Sequence, residues 1–303
     1  MRAEMNDTYT IRELECLSGI KAHTIRMWEQ RYGLLKPQRS HTNIRSYDCA
    51  ELKRLLNIAL LNRNGYRISD IHRMDEADLH ASILSLFRSD ARCECRITRL
   101  MQLMLDLQAE QFEKTLEADI RKNGLQDCLT EVIFPFLQRM DVLWSTDHIN
   151  AAQDRLVTNI VRQKLIAGIE KAGSCCAGPE TATALLFLPE GEFHELGLLY
   201  LCYLLKRQGH NVLYLGANIP LGDVNAFLVK RPADYLCLHL TSTLPAGRFE
   251  EFLRQLNARF KGKKIMLCGP LVSRHHVKAG RFPNIQISRS AAEINAFAES
   301  LCP

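Results

Sequence analysis

The chain has 303 residues, 47 % of them hydrophobic and 24 % charged, with a formal net charge of +5. That composition belongs to a folded, water-soluble protein of two or three domains and excludes a disordered or low-complexity chain. No apolar run approaches the roughly 18 residues of a membrane span, and the first residues, with Glu4 and Asp7, lack the basic and apolar regions of a secretory signal, so a cytoplasmic protein is expected.

Thr8 and Thr10 offer hydroxyl caps to a short helix in which Ile11, Leu14 and Leu17 face one way. Ser18-Gly19-Ile20 closes it, and Lys21 to Thr24 lead into a second helix that turns Ile25 and Trp28 inward and leaves Arg26 and Gln30 on other faces. Two short helices joined by a glycine-containing turn form a helix-turn-helix pattern. Gly33-Leu34-Leu35-Lys36-Pro37 stops the second helix. The polar, basic segment from Gln38 to Tyr47 then reads as a hairpin with its turn at Asn43, reaching a DNA backbone or minor groove through Arg39, Arg45 and Tyr47. Asp48 caps a helix carrying Leu52, Leu55, Leu56, Ile58 and Leu61, Asn64-Gly65-Tyr66 interrupts it, and Ile68 begins another. Residues 8–73 hold 12 Lys or Arg against 6 Asp or Glu, so the excess positive charge of the whole chain lies here. A phosphate-binding module needs that concentration, and a solvated surface charge is the lesser reading of any one of these side chains.

From about Ala81 to Ala172 there is no strand-like alternation, and apolar residues recur at helical spacing. Ile97 to Leu107, Phe112 to Ile120, Leu129 to Met140 and Leu156 to Leu165 give four amphipathic helices, hence a small bundle, with breaks at Asn123-Gly124 and Thr146-Asp147. Trp144 stands at a break and reads on its own as a core plug more readily than as a ligand contact. The eleven cysteines include only two close pairs, Cys93-x-Cys95 and Cys175-Cys176, and neither has a second pair at zinc-site spacing, so reduced thiols are expected.

Near residue 180 the pattern becomes alternating strands and helices. Strands are predicted over Thr183–Leu188, Asn211–Leu215, Tyr235–Leu240, Lys264–Cys268 and Ile285–Ile287. Helices are predicted over Leu196–Gln208, Leu221–Val229, Phe249–Phe260 and Ala291–Leu301. This is an open parallel sheet covered by helices, whose ligand crevice lies at the carboxyl ends of the strands. The loop after the first strand carries Glu192 and His194, a carboxylate placed to orient an imidazole that could bind a metal or cofactor. The predicted fold is therefore multidomain α and α/β: a winged helix-turn-helix over residues 1–78, a four-helix bundle over 79–175 and a Rossmann-like parallel sheet over 176–303.

Tyr9-Thr10-Ile11, Ser18-Gly19-Ile20, Thr24-Ile25-Arg26-x-Trp28-Glu29-x-Arg31-Tyr32-Gly33-Leu34-Leu35-x-Pro37-x-Arg39, Arg45-x-Tyr47 and Gly65-Tyr66-x-Ile68-x-x-Ile71 resemble the MerR family of winged-helix transcription regulators. The resemblance implies an oligomer, dimer or tetramer, that binds and distorts double-stranded promoter DNA and acts on RNA polymerase indirectly. On it, Lys21, His23, Thr24 and Arg26 are the groove candidates, and Tyr32, Arg39, Arg45 and Tyr47 the backbone candidates. Asn43 stands where the family usually has Gly, a residue that tolerates the left-handed turn.

Glu192-x-His194-x-x-Gly197, Ser242-x-Leu244 and Gly269 are similar to the cobalamin-binding domain of the methionine-synthase type, and the three-part order resembles the CarH/CarA/LitR group of adenosylcobalamin photoreceptors. The resemblance implies cobalamin, as adenosylcobalamin or another form, bound between bundle and sheet domain. His194 would be the lower axial cobalt ligand, tuned by Glu192, with Gly197, Ser242, Leu244 and Gly269 along the slot for the nucleotide tail. Trp144 and the pair ten and eleven residues later would cover the upper face. That pair is Glu-His in the light-sensing relatives and Asp154-Arg155 here, and Pro270 replaces the second glycine of Gly-Gly. His148, about one helical turn past Trp144, is a candidate for the same space. The expected function is a DNA-binding regulator controlled by cobalamin, and by light where the bound form is adenosylcobalamin, and not an enzyme. The alternatives are a regulator whose sheet domain serves as an interaction or oligomerisation module without cobalamin and, further off, a cobalamin-dependent methyltransferase component.

Overall fold

A computed structural model describes residues 8–39, 45–75, 77–79, 81–83, 93–145, 148–173, 182–241, 246–275 and 281–301. Contacts divide the chain into two compact units, Met1–Ile160 and Val161–Pro303. Among the described residues no helix is long and apolar enough to cross a membrane.

The first unit opens with α1 (Ile11–Ser18), whose N-terminus is closed by a reciprocal pair of hydrogen bonds: Thr10 Oγ1 accepts from the Glu13 amide, and the Glu13 carboxylate accepts from the Thr10 amide. Gly19, at φ 69°, ends α1 in the left-handed conformation and lets the chain turn into α2 (Ala22–Tyr32). A Cβ at Gly19 would lie 2.3 Å from Nη2 of Arg63, which donates to the Ser18 carbonyl at 2.6 Å. The antiparallel strands β1 (Gln38–Arg39) and β2 (Arg45–Ser46) form the wing, and Tyr9 bridges to Tyr47 alongside them. Asp48 caps α3 (Cys49–Arg63), and α4 (Ile68–Arg73) follows.

The bundle helices are α5 (Cys93–Leu105), α6 (Ala109–Asn123), a third helix in three pieces and α9 (Ala151–Ala172). The third runs as α7 (Leu125–Cys128), a π-helical turn (Leu129–Ile133) and α8 (Phe134–Ser145). Its apolar periodicity was legible, whereas the wide turn at its middle leaves no such signature. Helix α3 packs on α5 and α1 on α8, so the winged helix and the bundle share one core. Helix α9 crosses the division between the units, which falls at Ile160.

The second unit is a five-stranded, all-parallel sheet in the order β4-β3-β5-β6-β7. Its strands are β3 (Thr183–Pro189), β4 (Asn211–Ile219), β5 (Tyr235–His239), β6 (Lys264–Cys268) and β7 (Ile285–Ser288). The helices are α10 (Leu196–Arg207), α11 (Leu221–Lys230), α12 (Ala246–Arg259), α13 (Pro270–Arg274) and α14 (Ala291–Ser300). Continuous apolar runs such as Ala184 to Leu188 are what a sheet buried on both faces requires. One face packs Leu185, Phe187, Leu236, Leu238, Ile265 and Leu267 into a single core with α11 and α12. The structure departs from expectation in two details. Strand β4 continues past Leu215 to Ile219, with register shifts against β3, and Pro270 opens the short helix α13, where its missing N–H costs nothing. In this strand order the topological switch lies between β3 and β5, the strands from which chain order runs outward in both directions.

Candidate functional site

Two groups of sequence-predicted residues form recognisable surfaces, one in each unit. In the first, α2 buries Ile25 and Trp28, as its periodicity requires, and exposes His23, Arg26, Met27, Gln30 and Arg31. Exposed Lys21 stands just before the helix and pairs with Glu15 at 3.1 Å. Half-buried Thr24 places Oγ1 3.2 Å from His23 Nε2, and Tyr32 tilts against His72 at 5.8 Å between ring centroids.

The wing is fastened to α2 by Glu29. Both its carboxylate oxygens accept from Arg45 Nε at 3.1 Å, one accepts from Tyr47 Oη at 3.2 Å, and Arg39 approaches to 3.6 Å. Arg39 is exposed, whereas Arg45 is four-fifths covered. Tyr47, expected to reach DNA, is fully buried, and burial beside the Glu29 carboxylate raises its phenol pKa. In this conformation it therefore supports the wing from the core. Glu29 lay within the motif but had no role assigned to it, because a glutamate on a basic helix carries no sequence mark of what it holds.

Trp144 is 48 % exposed, contrary to the reading of it as a core plug. On α9, Asp154 is half-buried and Arg155 exposed. His148 does not share a space with Trp144. It is buried, its ring stacks on Tyr9 at 3.7 Å between centroids, and its Nε2 lies 3.6 Å from Glu13. His148 thus lies against Tyr9 and Glu13, at the N-terminal end of the winged helix.

In the second unit Glu192 is 4 % exposed, at the end of β3. Its Oε1 accepts from the amides of Phe193 and His194 at 3.1 and 3.2 Å and from His194 Nδ1 at 3.0 Å, while Oε2 accepts from the Thr241 amide at 2.9 Å. The carboxylate thus ties the loop after β3 to the loop after β5 across the switch point. By holding the proton on Nδ1 it leaves Nε2 of the exposed His194 ring with the lone pair. Among the described residues no three His, Cys, Asp or Glu side chains gather to hold a bare metal ion. One oriented imidazole instead suits an ion that arrives with its other ligands in place.

Behind His194, Arg162 pairs with Glu195 at 2.8 Å, and Tyr214 Oη donates to the same carboxylate at 3.1 Å. Gly197 is buried on the first turn of α10, and Gly269, at φ 103°, follows β6. Between them stands a residue that sequence reading passed over, His239. A Cβ on Gly197 would lie 2.2 Å from its Cε1, and one on Gly269 3.1 Å from the same atom and 2.5 Å from the Leu240 carbonyl oxygen. Burial lowers the pKa of His239 to about 4, so the ring is neutral near pH 7. On the same sheet face, in register across β5, β6 and β7, follow Cys268 and Ser288. The Ser288 hydroxyl is buried and lacks a hydrogen-bond partner among the described residues. An oriented imidazole and an orphaned hydroxyl fit a liganded cofactor, while the ring of His239 takes up the space between the two glycines. Ser242 and Leu244 lie outside the described residues.

Comparison with known proteins agrees with this division. Residues 9–78 match the family described as MerR HTH family regulatory protein. The chain is 27 % identical over 293 residues to the HTH-type transcriptional repressor CarA of Myxococcus xanthus, which spans 95 % of this chain and 96 % of that one. It is also 27 % identical over 279 residues to the HTH-type transcriptional repressor CarH of the same organism, across 89 % and 91 % of the two chains. Among solved structures, a monomethylamine corrinoid protein of Methanosarcina barkeri shares the fold, at a TM-score of 0.52 and 14 % identity over 66 % of this chain and 95 % of that one. Residues 9–78 are therefore a MerR HTH domain, at the head of a chain similar over most of its length to two transcriptional repressors.

Proposed function

We propose that the chain is a DNA-binding transcription regulator whose hold on promoter DNA is governed by a cobalamin bound through His194. The observation that carries the ligand half of this reading is the Glu192–His194 pair, a buried carboxylate orienting an exposed imidazole at the switch point of a parallel sheet. When bound, the group would supply a cobalt ion and, in its adenosyl form, a light-sensitive cobalt–carbon bond. Of this chain's residues, His194 binds, Glu192 orients and holds the Nδ1 proton, and Gly269 with Gly197 bounds the slot behind them. Trp144, Asp154 and Arg155 keep the role toward the ligand that the resemblance implies. On the DNA side, Lys21, His23, Thr24 and Arg26 serve the groove, and Tyr32 and Arg39 the phosphates. Arg45 and Tyr47 brace the wing through Glu29, and the protein acts as a homo-oligomer that affects RNA polymerase through the promoter.

Purified protein mixed in darkness with adenosylcobalamin or hydroxocobalamin should retain colour through gel filtration, and His194→Ala should weaken binding by at least about tenfold. Operator binding should differ between ligand-free and loaded protein, and a spectrum before and after green illumination reports whether light is sensed. Protein that stays colourless at saturating ligand overturns the ligand half and leaves the DNA half standing.

The ring of His239 between Gly197 and Gly269 favours a second reading, in which the sheet domain works as an interaction module without cobalamin. Operator binding identical with and without cobalamin, in darkness and in light, selects it. Absence of any specific DNA binding would instead favour a methyltransferase component.

A further inference from the structure

At the carboxyl end of β5 the His239 ring stands between Gly197 of α10 and Gly269 after β6. The His239 ring covers Gly197 so closely that a Cβ there would lie 2.2 Å from Cε1, 2.3 Å from Nε2 and 2.4 Å from Cδ2. Its Nδ1 stands 3.4 Å from Thr241 Oγ1, on the residue whose amide donates to Glu192. The glycine at 197 therefore makes room for an imidazole of this protein. Two strands along the same row lies the buried Ser288 hydroxyl, without a partner among the described residues.

We propose that His239 determines which corrinoid the site accepts. Its ring closes the slot against a lower nucleotide tail, so that a corrinoid lacking the tail reaches His194 unhindered while a complete cobalamin binds only once the ring has turned out. This rests on the reading of His194 as the cobalt ligand. The ring-out state is the competent one for a tail-bearing ligand, and its population multiplies the affinity. If the ring is out about a tenth of the time, complete cobalamin binds about tenfold more weakly than it would to an open slot. Turning out also uncovers the row toward Ser288, whose hydroxyl can then meet a polar group brought by the tail.

The experiment is an absorption titration of the full chain with aquocobalamin and with diaquocobinamide, which has the same corrin and cobalt but no nucleotide. Wild-type protein, His239→Ala and His239→Leu are compared, with thermal unfolding confirming that each is folded. Wild type should bind cobinamide about tenfold more tightly than cobalamin. His239→Ala should raise cobalamin affinity by about the same factor and leave cobinamide within about threefold, while His239→Leu, which keeps bulk in the slot, should retain the wild-type preference. Equal or tighter binding of cobalamin by wild type, or an unchanged ratio in His239→Ala, overturns the proposal while His194 remains the ligand. Failure of all three proteins to bind either corrinoid removes the cobalamin reading and this inference with it.

Discussion

Four N–H groups converge on the carboxylate of Glu192: the amides of Phe193, His194 and Thr241, and Nδ1 of His194. A buried carboxylate is tolerated here because acceptors are all it offers and donors are all it meets. Glutamine has the same shape but replaces one acceptor oxygen with a donor, which must oppose an amide or the imidazole proton. Glu192→Gln is therefore expected to cost about 1–3 kcal/mol of folding stability and, on the proposed reading of His194 as a cobalt ligand, to weaken cobalamin binding about 10- to 100-fold, since the imidazole loses its orienting partner. Thermal unfolding and a spectrophotometric titration measure the two effects. Affinity within twofold of wild type would show that the carboxylate serves only the loop. The spacing of Glu192 and His194 made their hydrogen bond legible in the sequence. The amide of Thr241 was not legible, because it comes from the loop after β5, 49 residues away. His239 escaped notice for a related reason: a histidine ending an apolar strand has no mark of its own, and its meaning comes from two glycines on other elements.

Among the elements, those defined by periodicity and caps were readable, and those defined by tertiary contact were not. Thr10 and Asp48 announce α1 and α3 because a capping side chain acts within three residues. The strands of the sheet domain announce themselves by apolar runs between turns, and their parallel order follows from the intervening helices. The wing is different, since the contact that fastens the described parts of β1 and β2 comes from another element. Its anchor is Glu29, on α2, which meets Arg45, Arg39 and Tyr47 across the domain. Glu29→Ala leaves Arg45 four-fifths covered with its charge uncompensated and the Tyr47 hydroxyl without that acceptor. It should lower stability by about 1–3 kcal/mol and speed amide exchange in β1 and β2. Operator affinity should fall even though the substitution removes a negative charge from a DNA-facing domain. Unchanged affinity, or the gain that simple charge removal predicts, would mean that the wing holds its position without Glu29.

Over the whole chain, the regulatory reading needs a physical connection from the bundle to the DNA-facing surface, and the first unit contains one. The chain leaving α8 after Trp144 reaches His148, whose ring stacks on Tyr9. Tyr9 exchanges backbone hydrogen bonds of 2.6 and 2.9 Å with Tyr47, Tyr47 donates to Glu29, and Glu29 holds Arg45 and Arg39 of the wing. Contiguity alone does not make this a path, because a chain of contacts carries information only if its members are energetically coupled. Coupling is measurable with His148→Ala, Glu29→Ala and the double variant. If the two positions act through the shared Tyr9–Tyr47 bridge, their effects on operator affinity should depart from additivity by about 0.5 kcal/mol or more. In addition, His148→Ala should diminish the difference in operator affinity between ligand-free and cobalamin-loaded protein while leaving cobalamin binding at His194 intact. Effects that add to within about 0.3 kcal/mol would reduce the series to separate packing contacts, and the signal would then have to reach DNA through oligomerisation instead. The two routes differ in concentration dependence: a route through oligomers shifts operator affinity with protein concentration, whereas one through Tyr9 and Glu29 persists in a protomer at high dilution.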